Sequence, residues 1–165
     1  MGITIRKATQ DDAMLINSMA AVVFPASYSD ILSPGQLEYM LDWMYSVPNI
    51  LKQMDEGHQY FLSEDTDYVG YASVQRKGTD LFHLQKLYVM PDHQGRGVGK
   101  LLFYGVVDYI KSVHPEHCYM ELNVNRKNRA VGFYKKLGME IDREGDFHIG
   151  NGYYMNDYIM RLAIE

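Results

Sequence analysis

Long apolar runs are missing from this chain: no stretch reaches the roughly 18 consecutive apolar residues that a membrane helix needs. The opening MGITIRKATQDD also lacks an apolar core followed by small residues. Membrane and export readings fall away together, which leaves the cytoplasm as the expected location and no membrane as partner. Cysteine is nearly absent. The single Cys118 excludes an internal disulfide, offers no metal site, and stands at the head of an apolar run that would bury it as an inert thiol. A basic excess is lacking too, since 16 Lys and Arg face 21 Asp and Glu for a net charge of −5. Nucleic acid, whose phosphates call for clustered cations, is not the expected partner. No repeat, low-complexity tract or linker interrupts the 165 residues, which are 47% hydrophobic, so a single domain over 1–165 with a full core is expected.

What the chain does have is a change of period. Residues 3–8 alternate apolar and polar, as a half-buried strand does. Thr9, with Asp12 three places on, opens a helix marked by Ala13, Leu15, Ile16, Met19 and Val23, and Pro25 is expected to end it. Ser33-Pro34 sets a capping hydroxyl before proline at the first helical position, ahead of the stripe Leu37, Met40, Leu41 and Met44. A further turn or two is expected between residues 48 and 56. The period then drops to two, and residues 59–63, 68–76 and 81–89 read as three strands in successive hairpins. A helix over 98–113, a strand over 118–124 and a short helix over 130–137 closed by Gly138 follow. Strands over 139–148 and 153–164 flank the turn Gly150-Asn151-Gly152. The order β-α-α-β-β-β-α-β-α-β-β describes a meander feeding a βαβ unit, hence a mixed three-layer α/β domain.

At its centre stands LQKLYVMPDHQGRGVGKLL, residues 84–102: a strand, a glycine-spaced loop and an amphipathic run. This arrangement points backbone N–H groups at an anion, because a helix begins with unpaired donors and the positive end of its dipole. A Walker A loop would need glycine and a hydroxyl residue where Gln94 and Leu101 stand, and a dinucleotide fingerprint would need glycine at Lys100. What remains is Q-x-x-G-x-G on Gln94, Gly97 and Gly99, with Gly95, Arg96, Val98 and Lys100 completing the loop. Arg96 and Lys100 lie where a helix dipole disfavours cations, which speaks for an anion nearby.

This loop resembles the pyrophosphate loop of the GCN5-related N-acetyltransferases, the GNAT family. A second block agrees in order and spacing: Leu122-Asn123-Val124-Asn125, a loop to Asn128, then Ala130, Phe133, Tyr134, Leu137 and Gly138. Met139 replaces a more usual phenylalanine, and Asn128 lies one residue closer to Tyr134 than is common. The element order matches as well, including two helices before the second strand and a closing hairpin. The implied fold is a three-layer α-β-α domain with a mostly antiparallel central sheet and a splayed parallel strand pair.

The resemblance implies acetyl-CoA as cosubstrate and transfer of its acetyl group to an amine. It puts the diphosphate on residues 94–100 and the pantetheine arm beside Leu87, Tyr88 and Val89, with an N–H near Val89 polarising the thioester carbonyl. Tyr134 is the matched general acid; a phenol with a pKa of about 10 stays protonated at neutral pH. For the base, His83 matches the strand position where several members carry glutamate; Glu121 and ordered water are the alternatives. Asn123 and Asn128 contact the cofactor, or serve only as turn and capping residues. The acceptor site lies between the first two helices and the last hairpin, here rich in aromatic and acidic residues, and Tyr28, Glu121, Phe147 and Tyr153 are its expected contacts. Aromatic faces with carboxylates suit a cation. The ending FHIGNGYYMNDYIM is similar to PaiA-type polyamine acetyltransferases. A protein or peptide α-amine is the rival acceptor, and a non-catalytic acetyl-CoA sensor or interaction module the rival function. The resemblance also leaves room for a homodimer.

Overall fold

A computed structural model describes residues 2–165. The chain runs β1 (Thr4–Lys7), a 3₁₀ turn (Gln10–Asp12), α1 (Ala13–Tyr28), α2 (Pro34–Tyr45), α3 (Val47–Asp55), β2 (Gln59–Asp65), β3 (Asp67–Gly78) and β4 (Leu81–Val89). A second 3₁₀ turn (Pro91–His93), α4 (Val98–Val113), β5 (Cys118–Asn125), α5 (Ala130–Lys136), β6 (Glu140–Gly150) and β7 (Tyr153–Ile164) complete it. The seven strands form one sheet in the order β1-β2-β3-β4-β5-β7-β6. Every neighbouring pair is antiparallel except β4 and β5. No helix among the described residues is long and apolar enough to cross a membrane.

Local chemistry accounts for most boundaries. The Asp12 carboxylate accepts the Thr9 N–H at 2.8 Å, and Ser33 accepts the Gln36 N–H at 3.2 Å to start α2. Ser46 does the same for α3 through Asn49; all three satisfy first-turn donors. Pro25 departs from expectation, because α1 continues through it to Tyr28. Proline removes one ladder hydrogen bond, yet the following turn is closed by Ser29 N–H to the Pro25 carbonyl at 2.9 Å. Phe24 and Tyr28 hold that turn by ring contact at 4.7 Å, so tertiary packing outweighs the local penalty. The turn between β2 and β3 is also tighter than its four polar residues imply, narrowing to Thr66 at φ 62°.

Strand alternation divides the sheet into two buried faces. Tyr60, Leu62 and Tyr71 pack under α1–α3 with Ile16, Phe24, Met40, Tyr45 and Ile50. Phe61, Ala72, Val74, Phe82, Leu84 and Met120 pack under α4 and α5 with Leu102, Phe103, Val106 and Tyr134. This is the expected three-layer order. Cys118 is buried and free.

Two irregularities in the sheet make room for a site. β4 and β5 pair only at Leu81–Tyr119, Phe82–Met120 and His83–Glu121, and then part company, so residues 84–89 have β3 on one edge and an open gap on the other. Within β4 the partners step from Val74–Leu84 to Ser73–Lys86, which leaves Gln85 as a bulge. A bulge resets which face a side chain takes and adds local twist, so Leu84 faces α4 while Lys86 turns toward α1–α3.

Candidate active site

The loop after β4 presents unpaired amides. Gly95 and Gly97 sit at φ 80° and 81°, the left-handed region that glycine enters without strain. The first helical bond of α4 runs from Leu101 N–H to the Gly97 carbonyl at 3.1 Å. Among the described residues, the N–H groups of residues 95–100 find no protein acceptor. A Cβ placed on Gly95 or Gly97 would meet nothing within 4 Å, whereas one on Gly99 would come within 3.2 Å of the Phe133 ring. Gly99 therefore serves close packing of α4 on α5, and the other two serve the turn. Gln94 ties the loop to the strand end, its Nε2 donating to the Val89 carbonyl at 3.2 Å. Arg96 and Lys100 are exposed, the latter's Nζ standing 5.9 Å from the Tyr104 ring centre. Val98 is buried in the core.

The gap lies beside this loop. Met90 N–H bonds to Val69 of β3 at 2.8 Å, and strand alternation then turns the Leu87 and Val89 N–H groups toward the open edge. Tyr88 points the other way, its hydroxyl 3.1 Å from that of Tyr28. Tyr28 is the hub of the gap: Asn128 Nδ2 donates to it at 3.1 Å. The Asn128 Oδ1 accepts the Ala130 N–H at 2.8 Å, so both polar ends of Asn128 are spent inside the protein as a cap for α5. Tyr134, carried by α5, is buried against Phe103 and Phe133. Burial, with Tyr28 adding to it, raises its phenol above the ordinary value, so it keeps its proton at neutral pH.

On the α1–α3 side the gap opens into a cavity of about 470 Å³. Phe24, Leu32, Met40, Trp43, Met44 and Met155 form its apolar wall, and Gln53, His58, Lys77, His83, Asn123 and Asp157 supply polar groups. His83 Nε2 lies 2.9 Å from Asn123 Oδ1, and Asn123 Nδ2 donates to Asp157 at 3.3 Å. The carbonyl orientation of Asn123 makes His83 the donor at Nε2, so its lone pair sits at Nδ1, which is covered and unpartnered. Burial lowers the His83 pKa, against opposing help from Asn123 and Glu121, and the ring is neutral at pH 7.

Of the expected acceptor contacts, Tyr28 lines this cavity; Glu121, Phe147 and Tyr153 do not. Glu121 is held by Arg161 at 2.8 Å and by Arg143 at 3.2 Å. Burial alone would raise its carboxyl, but the two guanidinium groups outweigh it and hold the pKa below the usual value. Phe147 folds back along its own strand, 2.9 Å from where a Cβ on Gly145 would stand. Tyr153 packs on Tyr39, ring centres 5.4 Å apart, further out along β7 than Asp157. Among the lining residues, Lys86 escaped the sequence reading. Lys86 looks like a solvated strand lysine in sequence, and only the Gln85 bulge turns it inward. Asp157 belongs to the acidic hairpin, but nothing local distinguishes it from Asp146, which pairs with Arg126 at the surface.

Comparison with known proteins agrees with this geometry. Residues 34–160 match the family described as acetyltransferase (GNAT) domain. The peptidyl-lysine N-acetyltransferase YjaB of Escherichia coli is 42% identical over 60 residues, spanning 36% of each protein, so the match covers about a third of that relative's length. The PaiA N-acetyltransferase of Thermoplasma acidophilum, solved with coenzyme A, superposes with a TM-score of 0.79 at 21% identity over 98% of both chains. The Salmonella typhimurium protein yncA, solved with acetyl-CoA, gives 0.68 at 22% identity, covering 100% of this chain and 95% of that one. A family match over residues 34–160, on a sheet that splays beside a glycine loop, means that this chain belongs to the GNAT acetyltransferase family.

Proposed function

We propose that this protein transfers an acetyl group from acetyl-CoA to a primary amine by direct attack on the thioester. The observation that carries this reading is the row of unsatisfied amides at residues 95–100, abutting a strand whose outer edge is open. Those amides and the start of α4 suit a diphosphate, and the open edge of β4 suits the pantetheine arm as an added strand. The Val89 N–H would polarise the thioester carbonyl, and Tyr134 would protonate the departing thiolate. The residues present thus fit coenzyme A, which when bound supplies the activated acetyl group. The likeness of the ending FHIGNGYYMNDYIM to PaiA-type polyamine acetyltransferases supports a polyamine as the acceptor, and the relative YjaB, a peptidyl-lysine N-acetyltransferase, supports a peptide lysine. The buried, free Cys118 is compatible with the cytoplasm as the place of reaction.

The test follows free thiol release from acetyl-CoA over a panel of amines, polyamines and lysine peptides, for wild type and Tyr134→Phe. Turnover by wild type, reduced at least 100-fold in the variant with acetyl-CoA affinity kept, is the expected result. Cofactor binding without turnover on any amine would leave a sensor, and competition by ATP alone would remove the acetyl-CoA reading.

A further inference from the structure

Asp157 is the one buried carboxylate on the cavity wall that no cation neutralises among the described residues. It is 1% exposed. Glu121, the other buried acid, is clasped by two arginines but lies outside the cavity. Glu56, the other acid of the cavity lining, is exposed to water. Asp157 has only the Asn123 amide at 3.3 Å on its Oδ2, and its Oδ1 accepts nothing from the protein. Arg126, the nearest guanidinium to influence it, spends its own contact on Asp146 at 2.6 Å. Burying an ionised carboxylate without a partner is costly, so such a group persists where a ligand completes it. Its register position, opposite Asn125 at the end of β5 that has parted from β4, sets it one strand in from the gap, where it lines the cavity.

The rest of the lining describes what would accompany a cation there. Phe24, Leu32, Met40, Trp43, Met44 and Met155 form the apolar wall of the same cavity, whose lining also includes Lys77 and Lys86. We infer that Asp157 seats the acceptor's ammonium group, and that the acceptor carries this ammonium on an apolar arm laid against that wall. The inference rests on the acetyl-transfer reading and names the substrate class for it.

Asp157 also has chemistry to perform. Its carboxylate takes one proton from the ammonium and becomes a neutral acid, leaving the nitrogen its electron pair. The amine attacks the thioester carbonyl carbon; the C–S bond breaks with its electrons on sulfur, which takes the Tyr134 proton. The surplus proton on the new amide nitrogen restores the phenol, and Asp157 returns its own proton to water. The sum is amide, thiol and one proton. Burial pushes the Asp157 carboxyl up, with Asn123 and Arg126 pulling the other way, which brings it toward the range where it can accept such a proton. The groups facing it are Tyr28 of α1, Asn123 of β5 and, through Asn123, His83 of β4; Arg126 precedes α5, and β6 offers only Gly145.

The probe is n-pentylamine, titrated by NMR into wild type and Asp157→Asn, each saturated with coenzyme A, after coenzyme A affinity has been measured on both. Equal coenzyme A affinities, with pentylamine bound at least tenfold more weakly by the variant, are expected. The deficit should shrink above pH 11, where pentylamine is neutral. Equal pentylamine affinity, no pentylamine binding by wild type, or a deficit constant with pH would each overturn the inference. Failure of coenzyme A to bind at all would instead overturn the acetyl-transfer reading. Should Asp157→Asn not fold, Asp157→Glu, which keeps the charge, must retain pentylamine binding within threefold.

Discussion

Single residues in the loop carry the proposed anion site, and Gly97 shows why. Its φ of 81° costs an L side chain about 1 kcal/mol, yet its Cβ direction is empty. A substitution there is therefore tolerable for the fold and hostile to a bound diphosphate. Gly97→Asp is expected to lower acetyl-CoA affinity at least 100-fold by calorimetry while moving Tm by only a few degrees. Unaltered affinity would show that the diphosphate lies elsewhere. The glycine spacing was readable in sequence because conformational need acts locally, through φ. The role of Gly99 was not, since its reason is Phe133, more than thirty positions away. Glu121 illustrates the same limit: an acid on a central strand resembles a base until Arg143 and Arg161 are seen to neutralise it.

Among the elements, α5 is short, and one side chain both starts it and ties it to α1. Asn128 caps it through Ala130 and holds Tyr28 at the same time, so it couples α5, α1 and, through Tyr28, Tyr88 of β4. Asn128→Ala is expected to cost about 1 kcal/mol in chemical denaturation, the usual worth of an N-terminal cap. Turnover should fall further than acetyl-CoA affinity, since Tyr134 rides on α5. A 30-fold loss of affinity with unchanged stability would instead make Asn128 a direct cofactor contact. Element type and order were legible from periodicity and caps, with strand and helix limits reproduced for β4, α4 and β7. The end of α1 was not, because Pro25 signals a stop locally and only the Phe24–Tyr28 packing overrules it.

At the scale of the molecule, Lys86 links the helical layer to the sheet. Its Nζ donates to Gln53 Oε1 of α3 at 2.7 Å and to the Met44 carbonyl of α2 at 3.3 Å, and to the Tyr60 hydroxyl of β2. It also stands 4.4 Å from the Tyr45 ring centre. No carboxylate pairs with it among the described residues, and burial pushes its pKa down to about 7. Below that pH the folded and unfolded chains both hold the proton, and the burial penalty is felt in full. Above it the unfolded chain binds more protons, so the contribution of this group to stability rises with pH until the unfolded amine titrates too. The rise is up to about 1.4 kcal/mol per pH unit. Denaturation of wild type and Lys86→Met between pH 6 and 10 is expected to show that rise in wild type alone. Parallel profiles would mean that the ammonium is not desolvated.

Sequence by itself determined the three-layer architecture, the glycine turn ahead of α4 and the placing of Tyr134 on α5. Periodicity, caps and glycine spacing act between residues close in the chain, and a family match extends that reach only to positions with a shared motif. The tertiary structure alone decided which side chains share the cavity. That choice turned on where β4 and β5 separate, on the Gln85 bulge that brings Lys86 inward, and on which acids find arginine partners. Glu121 and Asp157 are both buried carboxylates on adjacent strands of one sheet, and only distant residues make the first a closed ion pair and leave the second without a cation among the described residues. Charge neutralisation in a low-dielectric interior is settled by long-range packing, which no local pattern records.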